Sequence, residues 1–163
     1  MIGFWPRRPA LIGGGRPGIK PPNVETRMAG TYSELYYHLV WATKEREPRI
    51  TPDIEAELYG YIRGKCSEMR GFVHALDGTE DHTHLVCTLP PALAVAELLH
   101  KVKGSSSHFA NQLTGGSGTF WQPGYGALTL ARRDLSRVVA YVVNQKQHHR
   151  DGTLSAAMER LDE

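Results

Sequence analysis

The chain has 163 residues, a net charge of +2 and an apolar fraction of 40%. That is one domain's length, enough to bury a core, and the composition is that of an ordinary globular protein. With two cysteines, no apolar run of bilayer-spanning length and no apolar stretch after a basic start, neither a disulfide scaffold, a membrane-helix protein nor a secretory signal is expected. A cytoplasmic protein with Cys66 and Cys87 as reduced core thiols is expected. In chain order, residues 1–27 come first: five basic side chains (Arg7, Arg8, Arg16, Lys20, Arg27) stand against Glu25, among many Gly and Pro. This segment is expected to be disordered, either as a basic arm for DNA or as sequence upstream of a natural start at Met28. The remainder carries a slight acidic excess, so a globally basic DNA-binding footprint is absent.

Leu35, Tyr37, Leu39 and Trp41 alternate with Tyr36, His38 and Val40, a strand period. Thr51-Pro52 opens a helix, and Ile54, Leu58, Ile62, Cys66 and Met69 continue it until Gly71. Phe72 to Leu76 and His82 to Leu89 read as a hairpin turning on Asp77-Gly78. A second helix follows Pro90-Pro91 with Val95, Leu98, Leu99, Val102, Phe109 and Leu113 on one stripe. Ala127 to Leu130 forms a fourth strand, and a third helix runs from near Asp134 to before Gly152. The order β-α-β-β-α-β plus a helix predicts an α+β fold, a ferredoxin-like sandwich with an extra C-terminal helix.

His82 and His84 sit two apart on a strand, so both imidazoles point to one face and can converge on an ion. Alone, such a pair is a weak signal. On the last helix Tyr141, Gln145 and His148 share a stripe bordering Leu135, Val138, Val139 and Val142. A tyrosine there is either packed with its hydroxyl at the rim or a nucleophile, and Gln145 is either surface or a metal-shell oxygen.

These blocks together resemble the HUH-type tyrosine transposases of the IS200-like group. The resemblance spans Thr31 to Arg150 and rests on ordered motifs. They are Tyr37-His38-Leu39-Val40-Trp41-Ala42-Thr43-Lys44 with Arg46 and Pro48; Asp81-His82-Thr83-His84-Leu85; Leu89-Pro90-Pro91; Lys103-Gly104-Ser105-Ser106; Trp121-Gln122-Pro123-Gly124-Tyr125-Gly126; and Tyr141-Val142-Val143-Asn144-Gln145-Lys146-Gln147-His148-His149. The family's middle motif residue is normally large and apolar, whereas here it is Thr83, a departure that bears on packing.

The resemblance implies a catalytic domain over residues 28–163 and a Mg²⁺ or Mn²⁺ ion held by His82, His84 and Gln145. It implies Tyr141 as the nucleophile that cuts single-stranded DNA, leaving a 5′-phosphotyrosine link. It further implies recognition of DNA hairpins at element ends and a homodimer with composite active sites. Small basic groups are candidates for DNA phosphate contacts: Lys44 and Arg46 (with Arg49), Lys101 and Lys103, and Arg132 and Arg133 (with Arg137). Gly104 and Ser106 suggest close backbone approach on the second helix, and the Trp121 loop either stacks bases or anchors to the core. Two other classes stay open: a non-catalytic hairpin-binding protein, and a zinc hydrolase using His82, His84 and His148-His149.

Overall fold

A computed structural model describes residues 32–159; the segment over 1–27, with its expected disorder, lies outside them. Four strands form one antiparallel sheet in the order β2-β3-β1-β4: β1 (Tyr36–Ala42), β2 (Phe72–Gly78), β3 (His82–Thr88) and β4 (Gly126–Leu130). The period of two decides which side chains meet. Leu39 and Trp41 of β1, with Leu85 and Cys87 of β3, face α1 (Pro52–Glu68) and α2 (Val95–Thr114) and build the main core. On the opposite face Ala75 and Val86 pack against Val138, Tyr141 and Val142 of α3 (Leu135–Val143), which α4 (Gln145–Asp151) follows.

The main core closes through aromatic contact. Trp41 is fully buried and meets Trp121 edge to face, with ring centroids 5.9 Å apart. Trp121 Nε1 donates to the buried Ser106 Oγ at 2.9 Å, so the Trp121 loop is anchored to α2 by its own tryptophan. Ser106 therefore serves this anchor. A Cβ added at Gly104 would meet no heavy atom within 4 Å, so that glycine answers no close approach among the described residues. Trp41→Ala should cost about 3–5 kcal/mol, the usual loss for emptying a large buried aromatic site. Urea denaturation checks this, and a loss below about 1 kcal/mol would show the cavity collapsing or Trp41 not buried.

Two expectations need correction. Asp77-Gly78 is not the hairpin turn: both lie in β2, opposite His84 and Thr83, and the turn is Thr79 to Asp81, closed by Thr79 N–H to His82 O at 3.0 Å. Glycine is required at 78 by close approach, since a Cβ there would fall 2.1 Å from His82 O. α1 ends before Gly71 as expected; Arg70 takes the left-handed conformation (φ 62°), and Gly71 N–H closes the turn onto Cys66 O at 2.8 Å. Finally, the last helix is two helices. At Asn144 (φ −106°, ψ 16°) the side-chain amide donates to Ala140 O at 2.8 Å, taking the acceptor that the backbone N–H would use in a continuous helix. That N–H turns to Tyr141 O instead. An asparagine amide competing with the backbone is a recognised helix breaker.

Candidate metal and nucleophile site

β3 delivers the two histidines to the α3 face, as its period requires. His82 and His84 are 1% and 0% exposed, their rings 5.0 Å apart at 72°. Each is oriented from behind. His82 Nδ1 meets Asp81 Oδ1 at 2.6 Å and Thr79 Oγ1 at 2.8 Å, and Thr79 Oγ1 donates to the same Asp81 oxygen. Arg46 Nε grips the other Asp81 oxygen at 3.0 Å. Glu45 and Arg46, both non-glycine, adopt φ near 58° and 52°, and this uncommon backbone carries Arg46 to Asp81. Burial opposes ionisation of Asp81, but the bonds from His82 and Thr79, with the Arg46 charge, hold it well below the usual carboxylate range. Burial likewise opposes protonation of His82, yet Asp81 and Glu159 outweigh it and raise its pKa. His84 goes the other way: burial lowers its pKa more than Glu159 raises it. Behind His84 lies His38, with Nε2 2.9 Å from His84 Nδ1.

The helix break does not separate the other two residues from the pair. Gln145, fully buried, places Nε2 2.9 Å from His84 Nε2, and the Tyr141 ring stacks on His148 at 4.7 Å. The residue that sequence reasoning missed is Glu159. Its Oε1 accepts from both Tyr141 OH and Gln145 Nε2 at 2.5 Å, and its Oε2 lies 3.3 Å from His82 Nε2 and from His84 Nε2. His149 joins from α4, 4.0 Å from the same oxygen. Nothing in the sequence marks Glu159: it follows a turn after Gly152, outside any periodic element and outside the motifs. Its carboxyl is held far below the ordinary range, burial being outweighed by the two histidines. Tyr141 is pushed up to about 12, by burial first and then by the Glu159 carboxylate.

Does this set fit a divalent ion? Gln145 Oε1 is buried with no hydrogen-bond partner among the described residues, and His82 Nε2 meets only the Glu159 carboxylate at 3.3 Å; an unmet buried amide oxygen is costly unless a further group reaches it. With Nδ1 of His82 directed at Asp81, its Nε2 lone pair faces the site, the usual arrangement behind a metal-ligating imidazole. Potential ligand atoms of His82, His149 and Glu159 also lie within 4.8 Å of one another. The mixed imidazole, amide and carboxylate set fits such an ion.

The other sequence candidates are dispersed. Lys44 and Arg46 stand at the His82 end of the sheet, since Ala42 pairs with His82. Lys101 is exposed on α2, on the far face. Lys103, also on α2, donates to the Gln122 carbonyl at 2.9 Å and to that of Gly124, so its ammonium already ties down the Trp121 loop. Arg132 and Arg133 precede α3 at the opposite end of the sheet, where Arg132 pairs with Glu34 at 2.6 Å. Of all these cations, only Arg46 reaches the histidine cluster.

His38 and His84, whose burial lowers their pKa, make the fold acid-sensitive. Burial, with His84 adding, pulls His38 down from 6.5 to about 4. The unfolded chain therefore takes up this proton first as pH falls, so stability is present above about 6.5 and is lost between there and about 4. At about 1.4 kcal/mol per unit, the loss from His38 is about 3 kcal/mol. Denaturation midpoints at about pH 7 and about pH 4.5 test this, and His38→Leu should flatten the drop; equal midpoints in the parent would refute it.

Fold and site together define an α+β protein with a buried histidine-pair centre facing a tyrosine and a glutamine. Residues 31–145 match the family described as IS200-like transposases, and the chain belongs to that family. It is 24% identical over 124 residues to the ISDra2 transposase TnpA of Deinococcus radiodurans, covering 71% of this chain and 87% of that one. It is 22% identical over 134 residues to the IS200 transposase of Salmonella typhimurium, covering 78% and 88%. Two solved structures share the fold. One is a crystal structure described as a transposase from D. radiodurans R1 (TM-score 0.59, 24% identity, 72% of this chain and 95% of that one). The other is a REP-associated tyrosine transposase bound to a REP hairpin (TM-score 0.59, 16% identity, 73% and 71%).

Proposed function

We propose that this transposase cuts and rejoins single-stranded DNA at insertion-sequence ends, with Tyr141 as nucleophile and DNA hairpins as the recognised feature. The Tyr141 hydroxyl loses its proton to solvent and its oxygen forms a bond to phosphorus; the bond from phosphorus to the 3′ oxygen breaks, and that oxygen takes a proton from solvent and leaves as a 3′-hydroxyl. The 5′-phosphotyrosine link keeps the bond energy, so a 3′-hydroxyl can later reverse the step. His82, His84 and Gln145 would hold Mg²⁺ or Mn²⁺, which supplies charge neutralisation and positioning at the phosphate oxygens. Asp81, Thr79 and Arg46 keep His82 aimed, and His148 steadies the tyrosine ring.

One observation carries this reading: a single carboxylate, that of Glu159, touches Tyr141, Gln145, His82 and His84 together. The four groups therefore converge on a space that accepts anionic oxygen, which is what an attacked phosphate offers. The strand order β2-β3-β1-β4 supports the ferredoxin-like description, with the nucleophile on α3 and the glutamine on α4. Among the described residues no helix is long and apolar enough to cross a membrane. A homodimer with composite sites is part of the reading and would require α3 and α4 to exchange, since here Tyr141 reaches the histidines of its own chain. The substrate assigns the protein to the cytoplasm.

The test is labelled hairpin-bearing single-stranded DNA with Mg²⁺ or Mn²⁺, parent against Tyr141→Phe. A protease-sensitive DNA adduct with the parent alone supports the reading. Binding without cutting by either would favour the non-catalytic hairpin-binding protein. Turnover without an adduct, retained by Tyr141→Phe, would favour the hydrolase, to which the proximity of His82, His149 and Glu159 lends some weight.

A further inference from the structure

Behind the histidine pair lies a third imidazole that the reading above does not use. His38 is fully buried on β1, two positions from Val40, the cross-strand partner of His84. Its Nε2 lies 2.9 Å from His84 Nδ1, with the rings nearly parallel at 15°. Its own Nδ1 has no partner among the described residues, so His84 is the one polar contact of this side chain there. A buried polar ring with a single hydrogen bond would be better replaced by an apolar residue if packing alone mattered.

We propose that His38 is a positioning residue for metal binding: it accepts the Nδ1 proton of His84 and so fixes the tautomer in which His84 Nε2 offers its lone pair to the ion. The inference rests on the proposed metal role of His82, His84 and Gln145. A neutral imidazole carries one proton, and only when that proton is on Nδ1 is Nε2 a ligand. His82 has Asp81 and Thr79 for this purpose. His84 has neither, and the acceptor in the equivalent place is His38 Nε2. Accepting there puts the proton of His38 on its Nδ1. The opposite tautomer, with His38 donating to His84, would turn an Nε2–H of His84 toward Glu159 Oε2, 3.3 Å away, and abolish the ligand. The pair thus has two settings, and ion binding selects one of them.

The experiment is Mn²⁺ titration by calorimetry on the full chain: parent, His38→Leu, which has no acceptor, and His38→Gln, which keeps one on a side chain of similar reach. His38→Leu should bind about 10–100-fold more weakly, the usual loss on removing a partner behind a metal ligand, and His38→Gln should recover most of that. Equal affinity of parent and His38→Leu overturns the inference while leaving the metal site standing. No Mn²⁺ binding by the parent overturns both. Because His38→Leu could fail to fold, a second measurement uses the parent alone with Mg²⁺. Histidine ¹⁵N spectra should show His84 and His38 each protonated on Nδ1, with a scalar coupling between His84 Nδ1 and His38 Nε2 across the hydrogen bond. Absence of that coupling, or a His38 proton on Nε2, overturns it.

Discussion

Tyr141→Phe is expected to reduce DNA cutting by at least about 10⁴-fold and to eliminate the covalent protein–DNA adduct, while hairpin binding changes by no more than a few-fold. Removing a nucleophile that acts with its neighbours as a unit typically costs this much or more. Phenylalanine keeps the ring that stacks on His148 and packs beside Val138 and Val142, so the substitution deletes one hydroxyl and little else. The variant loses the hydrogen bond to Glu159 and the one accepted from Ser155 N–H at 3.2 Å. Those losses bear on stability, and a denaturation curve measures them separately from the chemistry. The same hydroxyl predicts a pH profile. With its pKa pushed up to about 12, Tyr141 is protonated at neutral pH, and the attacking phenolate grows about tenfold per unit as pH rises toward that value. Single-turnover cutting should therefore climb from about pH 7 to about pH 9, provided the phenolate is formed before attack. Undiminished cutting by Tyr141→Phe would assign the chemistry to another group.

The strands were legible because alternation is a strong local signal: Leu39 and Trp41 against His38 and Val40 predicted both faces of β1, and His82 with His84 predicted a shared face on β3. Where an expectation failed, a local rule had more than one cause. Asp77-Gly78 looks like a turn, but glycine at 78 answers the close approach of the His82 carbonyl, a cross-strand fact invisible in one segment. Asn144 lay between residues of the helical stripe Tyr141, Gln145 and His148, and that spacing outweighed the asparagine. The family resemblance supplied His82, His84, Tyr141 and Gln145 as a set, and the structure brings those four together. It could not supply Glu159, whose position depends on how the chain returns after Gly152. Nor could it rank the basic residues: Lys103 turns to loop carbonyls and Arg132 to Glu34, partners that sequence spacing does not reveal.

His84→Ala separates the two ways an ion could be held here. In the parent, Mn²⁺ at about 100 times its dissociation constant should raise stability by about 2.7 kcal/mol, because the folded chain alone presents the ligands as a set. In His84→Ala that increment should fall below about 0.5 kcal/mol, and cutting should drop by about 10³-fold, several kcal/mol of charge stabilisation being lost. The variant will also be less stable without any ion. It strands His38 Nε2 and removes one partner each from Gln145 Nε2 and the Glu159 carboxylate, at about 1–3 kcal/mol for each buried group left unsatisfied. The informative quantity is therefore the difference made by Mn²⁺ within each protein, not the difference between proteins. A parent-sized increment in His84→Ala would mean that the ion sits on His82, His149 and Glu159, which lie close enough together without His84. In that event His149→Ala, harmless to the ion in the favoured arrangement, becomes the variant that abolishes the response.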